Sequence, residues 1–361
     1  MDHSRKIKVL IVEDDTFTAM VYQDLLEEVT HIQFEITTCE TLGEGLSALK
    51  DSSYNVLLLD LNLPDSDFHN TINAITGIAD EIPIVVMTST NDEKLALKAV
   101  NNGGQDYLVK DKLERQTLLR SILYAIERHQ LKVELKRAKA MSDSLLKNIL
   151  PEAIAEELKS KGRVEARYFE DVSVMFVDFS QFTKVSSQMD TSLLVAELHH
   201  CFSAFDKIAG RHGLEKIKTI GDSYMCAAGV PRPVENQHVQ IASAAHAMMQ
   251  FVAERRGLKA AEAKPFWNAR IGIHTGPVVA GVVGIHKFTY DIWGNTVNVA
   301  SRMEACGEEG RVNISHSLYT KLASDQHFTF TPRGAIEVKG KGSMEMYFVE
   351  PATRAVVPPL S

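Results

Sequence analysis

Ile7-Lys-Val-Leu-Ile-Val-Glu-Asp14 is a Val/Ile/Leu-rich run that breaks into two acids. Val56–Leu61, Ile84–Met87 and Tyr107–Val109 repeat the pattern of short apolar runs without polar alternation. Strands buried on both faces read this way, and the amphipathic stretches between them supply the covering helices. Residues 7–130 are therefore expected to form an α/β domain, a parallel sheet flanked by helices. In such sheets the functional crevice lies beyond the strand C-termini. Glu13, Asp14, Asp60, Thr88 and Lys110 stand at those ends.

Working outward, residues 113–150 contain no Gly or Pro before Pro151 and are rich in Leu, Lys, Glu, Arg and Ala. This composition predicts one long helix. Leu131, Leu135, Ala138, Ser142, Leu145 and Ile149 fall on a heptad-like seam. The seam favours a two-stranded coiled coil over an amphipathic helix lying on its own domain, because the positions between are heavily charged. Beyond it, Val172–Phe179, Lys216–Gly229, Phe266–Gly284 and Ala335–Val349 read as strands, and Thr191–Arg211 and Val234–Arg255 as helices. Mixed elements with glycine-broken strands predict an α+β fold. The expected divisions are 1–128, a helical linker and lead-in helix over 129–165, 166–351, and a loose tail over 352–361.

The composition, 45% hydrophobic and 24% charged over 361 residues, excludes a disordered or repetitive chain. Residues 1–130 carry 11 Lys+Arg against 22 Asp+Glu, a net of −11; the remainder carries 28 against 25, a net of +3. An acidic front half argues against nucleic-acid binding there, and the mildly basic remainder suits an anionic small molecule better than a duplex. No apolar run reaches the roughly 18 residues of a membrane span. Met1–Lys8 shows no signal-peptide apolar region, and the four cysteines make no CxxC pair. The expectation is a cytoplasmic protein without a disulfide scaffold. His199-His200-Cys201 sits mid-helix among apolar residues and is read as a packed face rather than a zinc site.

The front half resembles the response-regulator receiver domain, which implies a doubly wound α/β fold on a parallel five-stranded sheet. Val9-Leu-Ile-Val-Glu-Asp14, Leu57-Leu-Leu-Asp-Leu-Asn-Leu-Pro64, Val86-Met-Thr88 and Tyr107-Leu-Val-Lys110 carry the likeness. Glu13, Asp14 and Asp60 crowd three carboxylates at one sheet edge, which calls for one divalent cation, Mg2+ or Mn2+. The resemblance implies that Asp60 accepts a phosphoryl group from a cognate histidine kinase or another donor. Thr88 and Lys110 would then hold its oxygens, and Tyr107 would be the rotamer switch. Two departures stand out: Asp111 replaces the usual Pro after Lys110, and Asp65-Ser-Asp-Phe68 lacks the usual Gly.

The back half resembles the catalytic domain of class III nucleotidyl cyclases over nearly all of 145–350. Phe176-Val-Asp-Phe-Ser-Gln-Phe-Thr183, Glu215-Lys-Ile-Lys-Thr-Ile-Gly-Asp222, Tyr290-Asp-Ile-Trp-Gly-Asn-Thr-Val-Asn-Val-Ala-Ser-Arg302 and Val338-Lys-Gly-Lys-Gly342 carry it. Two carboxylates on adjacent strand ends can bind two hard cations and clamp a triphosphate for in-line displacement. The resemblance implies Asp178 and Asp222 as ligands of two Mg2+ or Mn2+ ions, and Lys218 and Asp291 as readers of the purine edge. It implies Asn298 orienting the ribose and Arg302 stabilising charge on the α-phosphate. Lys339 would grip the triphosphate with Arg270 beside it, and Lys341 competes with Lys339 for that task. It also implies a homodimer, with metal ligands from one protomer and purine, Asn and Arg groups from the other.

Lys218 donates and Asp291 accepts, which matches adenine's N1 acceptor and 6-amino donor. The expected reaction is therefore ATP to 3′,5′-cyclic AMP and pyrophosphate. The alternatives are a guanylate cyclase and a catalytically silent nucleotide-sensing response regulator. A DNA-binding response regulator is disfavoured, because no basic recognition helix remains outside the cyclase-like stretch.

Overall fold

The computed structural model describes residues 5–51, 53–78, 80–89, 93–110, 113–284, 287–338 and 340–352. Two compact units divide the chain between Ser144 and Leu145. The first contains β1 (Arg5–Val12), α1 (Thr16–Glu27), β2 (Ile32–Cys39), α2 (Leu42–Asp51), β3 (Val56–Asp60), α3 (Phe68–Ile78), β4 (Ile84–Thr88), α4 (Glu93–Asn101) and β5 (Asp106–Val109). Its five strands are parallel, in the order β2-β1-β3-β4-β5. Every residue of β3 and β4 is buried, as runs without alternation require. The edge strand β2 alternates in exposure instead, so its sequence carries none of the continuous apolar signal that marks the others.

The order reverses direction around β1, so the chain ends of β1 and β3 open side by side and bring Glu13 and Asp14 next to Asp60. β3 carries Asp60 into the interior. Its four apolar side chains each contribute roughly 1.5–3 kcal/mol on burial, which offsets the cost of the carboxylate. Asp15 caps α1, its side chain accepting from the Phe17 N–H at 3.2 Å. In the Gly-less loop, Asp65 accepts from the Leu42 and Gly43 N–H groups, both at 2.9 Å, and so ties that loop to the start of α2. Asp111 lies outside the described residues.

α5 (Arg115–Ile149) is the expected long helix, and it crosses the division between the units. Leu118, Ile122, Ala125 and Ile126 recur at three- and four-residue spacing and pack against the receiver-side core. The second half buries no such stripe: Leu131, Leu135, Leu145 and Ile149 are all more than half exposed. Leu150 and Pro151 end the helix, as the span 113–150 free of Gly and Pro predicts.

The second unit contains α6 (Glu152–Lys161), β6 (Arg167–Ser180), α7 (Phe182–Ser186), α8 (Thr191–Arg211), β7 (Glu215–Ile220), β8 (Ser223–Ala228) and α9 (Gln237–Ala261). It continues with β9 (Asn268–Val283), β10 (Thr289–Trp293), α10 (Asn295–Ala305), β11 (Val312–Ser315), α11 (His316–Leu322), β12 (Phe328–Val338) and β13 (Gly342–Pro351). The mixed sheet runs β12-β13-β11-β9-β6-β8-β7, with β10 paired to β9. One face carries α8 and α9 over a core that includes Phe205, Tyr224, Met248 and Trp267. Cys201 is buried in that core, and burial pushes its thiol up to about 12. On the other face, Leu150, Ile154 and Ala155 pack in one cluster with Ile217, Tyr290, Ile292 and Ala300. The tail from residue 353 lies outside the described residues.

Candidate functional site

In the first unit the strand ends converge on one acid pocket. Glu13 and Asp60 are 2% and 3% exposed, and Thr88 is fully buried, while Asp14 is open to solvent. Lys110 reaches across from the end of β5, its Nζ 2.7 Å from Glu13 Oε1 and 2.9 Å from Asp60 Oδ2. Burial raises the pKa of both acids, and their mutual charge raises that of Glu13 further. Burial alone would lower Lys110, but its hydrogen bonds to Glu13 and Asp60 outweigh this and hold it raised. Glu13 Oε2 and Asp60 Oδ1 are buried without a hydrogen-bond partner. Ligand atoms of Glu13, Asp14 and Asp60 lie within 4.8 Å of one another, an all-oxygen set that fits a hard divalent cation. The Thr88 hydroxyl donates to the Ser89 carbonyl at 3.3 Å, and Tyr107 is half-buried against the apolar cluster that includes Leu10 and Leu59. Sequence reasoning missed Tyr22, a phenol without a hydrogen-bond partner whose ionisation is opposed first by burial and then by the charges of Glu13, Asp60 and Asp15.

In the second unit, strand register assembles the acids. Val177 of β6 lies opposite Tyr224 of β8, so Asp178 comes level with the β7–β8 turn that bears Asp222. Gly221 closes that turn at φ 63°, a conformation glycine adopts freely. On the other flank, Asp178 lies directly opposite Arg270 of β9. The Arg270 Nη2 donates to Asp178 Oδ2 at 3.2 Å, and its Nε donates to Glu304 Oε1. Burial raises the pKa of Asp178, Asp222 adds to this, and Arg270 opposes it. Burial and the neighbouring Asp178 push the Glu304 carboxyl up to about 7. Two carboxylates at one sheet edge, one of them half-buried, offer oxygen donors suited to Mg2+ or Mn2+.

Glu304 was not among the residues singled out from the sequence. The signal was present: Val299, Ala300 and Met303 form the buried stripe of α10, and Glu304 falls four residues after Ala300. A charged residue on a buried stripe requires a partner. α10 sits close because position 272 of β9 is glycine; a Cβ there would stand 1.9 Å from the Glu304 backbone nitrogen. The far end of α10 is held by side chains. Asn313 donates to the Met303 carbonyl and Arg333 to the Cys306 carbonyl, each at 2.7 Å.

The other expected residues fall into two groups. Lys218 of β7 and Asp291 of β10 form an ion pair at 2.5 Å, with Asp291 the more buried. Asn298 and Arg302 project together from the exposed face of α10, one helical turn apart. They line an open pocket of about 370 Å³ with Ser301 and Lys341. Lys341 also donates to the Asn295 side chain, and Lys339 lies outside the described residues. Among the described residues, no hydrogen bond or ion pair links Asn298 or Arg302 to Asp178 or Asp222.

A doubly wound domain with a strand-end acid pocket, followed by an α+β sheet with paired acids and a basic helix face, marks a two-domain signalling enzyme class. Residues 9–123 match the response regulator receiver domain, and residues 164–351 match the adenylate and guanylate cyclase catalytic domain. The chain belongs to the class III adenylyl/guanylyl cyclase family and carries a receiver domain in the same polypeptide. It is 43% identical over 209 residues to an adenylate cyclase of Mycobacterium tuberculosis, covering 58% of this chain and 46% of that protein. It is 38% identical over 211 residues to the guanylate cyclase soluble subunit beta-2 of Rattus norvegicus, covering 58% and 30%. The chain thus spans less than half the length of these curated relatives. The solved adenylyl cyclase CyaB from P. aeruginosa superposes with a TM-score of 0.50 at 28% identity, over 54% of this chain and 100% of that one. No described helix is long and apolar enough to cross a membrane.

Proposed function

We propose that this chain is a cytoplasmic adenylate cyclase that acts as a homodimer, converts ATP to 3′,5′-cyclic AMP and pyrophosphate, and is regulated by phosphorylation of Asp60. The observation that carries the base preference is the Lys218–Asp291 pair, an ammonium donor and a carboxylate acceptor side by side at 2.5 Å. Adenine offers the complementary acceptor and donor along one edge. Guanine presents a carbonyl and N–H groups there, and would leave both protein groups facing their own kind.

In this reading Asp178 and Asp222 hold two cations, Mg2+ or Mn2+, and the receiver acids hold one. Bound cations supply activation of the ribose 3′-hydroxyl and clamping of the triphosphate. Asn298 orients the ribose. Arg302 offsets the charge that grows on the α-phosphate as the ring closes. Lys341, in the pocket with Arg302, and Lys339 are the candidates for the triphosphate, with Arg270 beside the acids. The separation of the Asn298/Arg302 face from the acids supports completion of each site by a second protomer. The exposed apolar seam of α5 supports a parallel two-stranded pairing of linkers. A cognate histidine kinase or another phosphoryl donor would act on Asp60, and Lys110, 2.9 Å from it, would hold a phosphoryl oxygen.

Cyclic-nucleotide production from ATP and from GTP, with and without acetyl phosphate, tests the reading. The expected outcome is cyclic AMP as the main product and a rate that changes with acetyl phosphate in the wild type but not in Asp60→Ala. A GTP preference would overturn the base assignment, and a persisting response in Asp60→Ala would remove that residue as the acceptor.

A further inference from the structure

Arg270 joins two carboxylates that come from different elements. Its Nη2 donates to Asp178 on β6 and its Nε to Glu304 on α10. A guanidinium on Asp178 Oδ2 takes up one of that carboxylate's acceptor sites, and its charge repels an incoming cation. Glu304 is 8% exposed and has its place set by the backbone contact at Gly272. It faces the sheet, whereas Arg302 of the same helix faces solvent.

We propose that Glu304 is a positioning residue that draws Arg270 off Asp178, so that Arg270 serves as a resident counter-charge handed to Glu304 when divalent cations bind. The inference rests on the reading of Asp178 as a metal ligand. With Glu304 ionised, Arg270 keeps a charged partner after leaving Asp178, so releasing the metal ligand does not strand a half-buried guanidinium. Without that charge, Arg270 keeps Asp178 as its anionic partner and competes directly with the incoming cation, while Glu304 still touches Asp178 through their own side-chain hydrogen bond. The bidentate geometry of guanidinium suits this sharing, since Nε and Nη2 can serve two acceptors at once.

The test uses the full chain, without nucleotide, and Mn2+ alone, with free Mn2+ followed by electron paramagnetic resonance. Sites lost in Asp178→Ala define the cyclase class, which separates them from the receiver pocket. Glu304→Gln is expected to weaken that class roughly tenfold, the equivalent of about 1.4 kcal/mol. Glu304→Asp, which keeps the charge, is expected to retain binding better than Glu304→Gln. Replacing the competitor as well, in Arg270→Gln/Glu304→Gln, is expected to return Mn2+ binding to within about twofold of wild type, the usual additivity error. A purely architectural role for Glu304 would leave the double variant at least as weak as the single one. Wild-type Mn2+ binding by Glu304→Gln, or no recovery in the double variant, would overturn the proposal. If Asp178→Ala removes no class of site, the metal-ligand reading falls and this inference falls with it.

Discussion

The two acid sites of this chain solve the same electrostatic problem in different ways. In the receiver unit, Lys110 reaches from the end of β5 and touches both buried acids, so acids and ammonium sit in one crevice. In the cyclase unit, Arg270 is shared between Asp178 and an acid on α10, and the groups expected to meet the nucleotide face elsewhere. In the first, the acids and the ammonium beside them come from one chain. In the second, among the described residues, no hydrogen bond or ion pair links the acids to the Asn298/Arg302 face. Clustered acids offer oxygen donors for a cation but do not say whose side chains would complete a site.

The sharpest way to break this comparison is complementation. Asp178→Ala and Arg302→Ala should each lose activity by at least about 10²-fold, since each removes a group that acts on the transition state. Mixed dimers should regain one intact site of two, and random mixing makes about half the dimers mixed, so activity should return to roughly a quarter of wild type. Asp60→Ala and Lys110→Ala should show no such rescue of the acetyl phosphate response, because their pocket lies within one chain. Subunit exchange with both readouts measures this; failure of the first pair to recover, with mixed dimers present, would place both groups in a single-chain site.

A second experiment sharpens the role of the Lys218–Asp291 pair. Lys218→Glu with Asp291→Cys reverses the donor and deletes the acceptor, and should shift the ATP:GTP ratio of kcat/KM by about 10²-fold toward GTP. Steady-state kinetics on both nucleotides decides it, and an active double variant with unchanged preference would remove the pair from base reading.

Gly272→Ala tests whether the helix–sheet contact sets the cyclase half-site. The added Cβ meets backbone, which cannot rotate away, so the cyclase transition in calorimetry should lose about 1–3 kcal/mol or more. At Gly45 of the receiver the added atom meets the Val12 side chain instead, and the loss there should be smaller.

The smallest effect concerns Glu215 at the start of β7, whose carboxyl burial pushes up to about 7 from the ordinary 4.5. A raised carboxyl favours the folded state while protonated, fully below pH 4.5, and that contribution is lost as pH rises through 7. Glu215→Gln should therefore stabilise the second unit at pH 8 by roughly 1–2 kcal/mol and leave it nearly unchanged at pH 4.5. Equal effects at both pH values would show that the carboxyl is not held in its protonated form. The receiver's buried acids, which have Lys110 beside them, provide the contrasting case of raised acids with a resident cation.

The sequence made much of this architecture readable, for reasons that vary by element. β3 and β4 are buried on both faces, so their apolar runs stand out, and α8 occupies the very span Thr191–Arg211 that its periodicity predicts. β2 was not placed, because an edge strand with alternating Gln33, Glu35 and apolar residues resembles any solvated segment. β10, β11 and α11 are short, four to seven residues each, and gain their identity from pairing and packing across the sheet. The long helix ends at Ile149, just before the Pro151 that bounds its predicted span, and the lead-in helix follows separately as α6. Asp178, Asp222, Lys218 and Asp291 could be named from motifs. That Arg270 would be shared between Asp178 and Glu304 could not, because it depends on β6–β9 register and on a helix packed 34 residues further along.

The clamp on the end of α10 has a consequence for where its charges act. A helix gathers about half a negative charge at its C-terminal carbonyls, and a cation in the last turn is drawn toward them. Arg302 occupies that turn. Here Arg333 already donates to the Cys306 carbonyl and Asn313 to that of Met303, and Arg333 is itself braced 4.3 Å over the Phe348 ring. The local dipole is answered from β12 and β11, which leaves the Arg302 guanidinium uncommitted to its own backbone. Its pull is directed outward, into the solvent-facing pocket, at whatever anion enters.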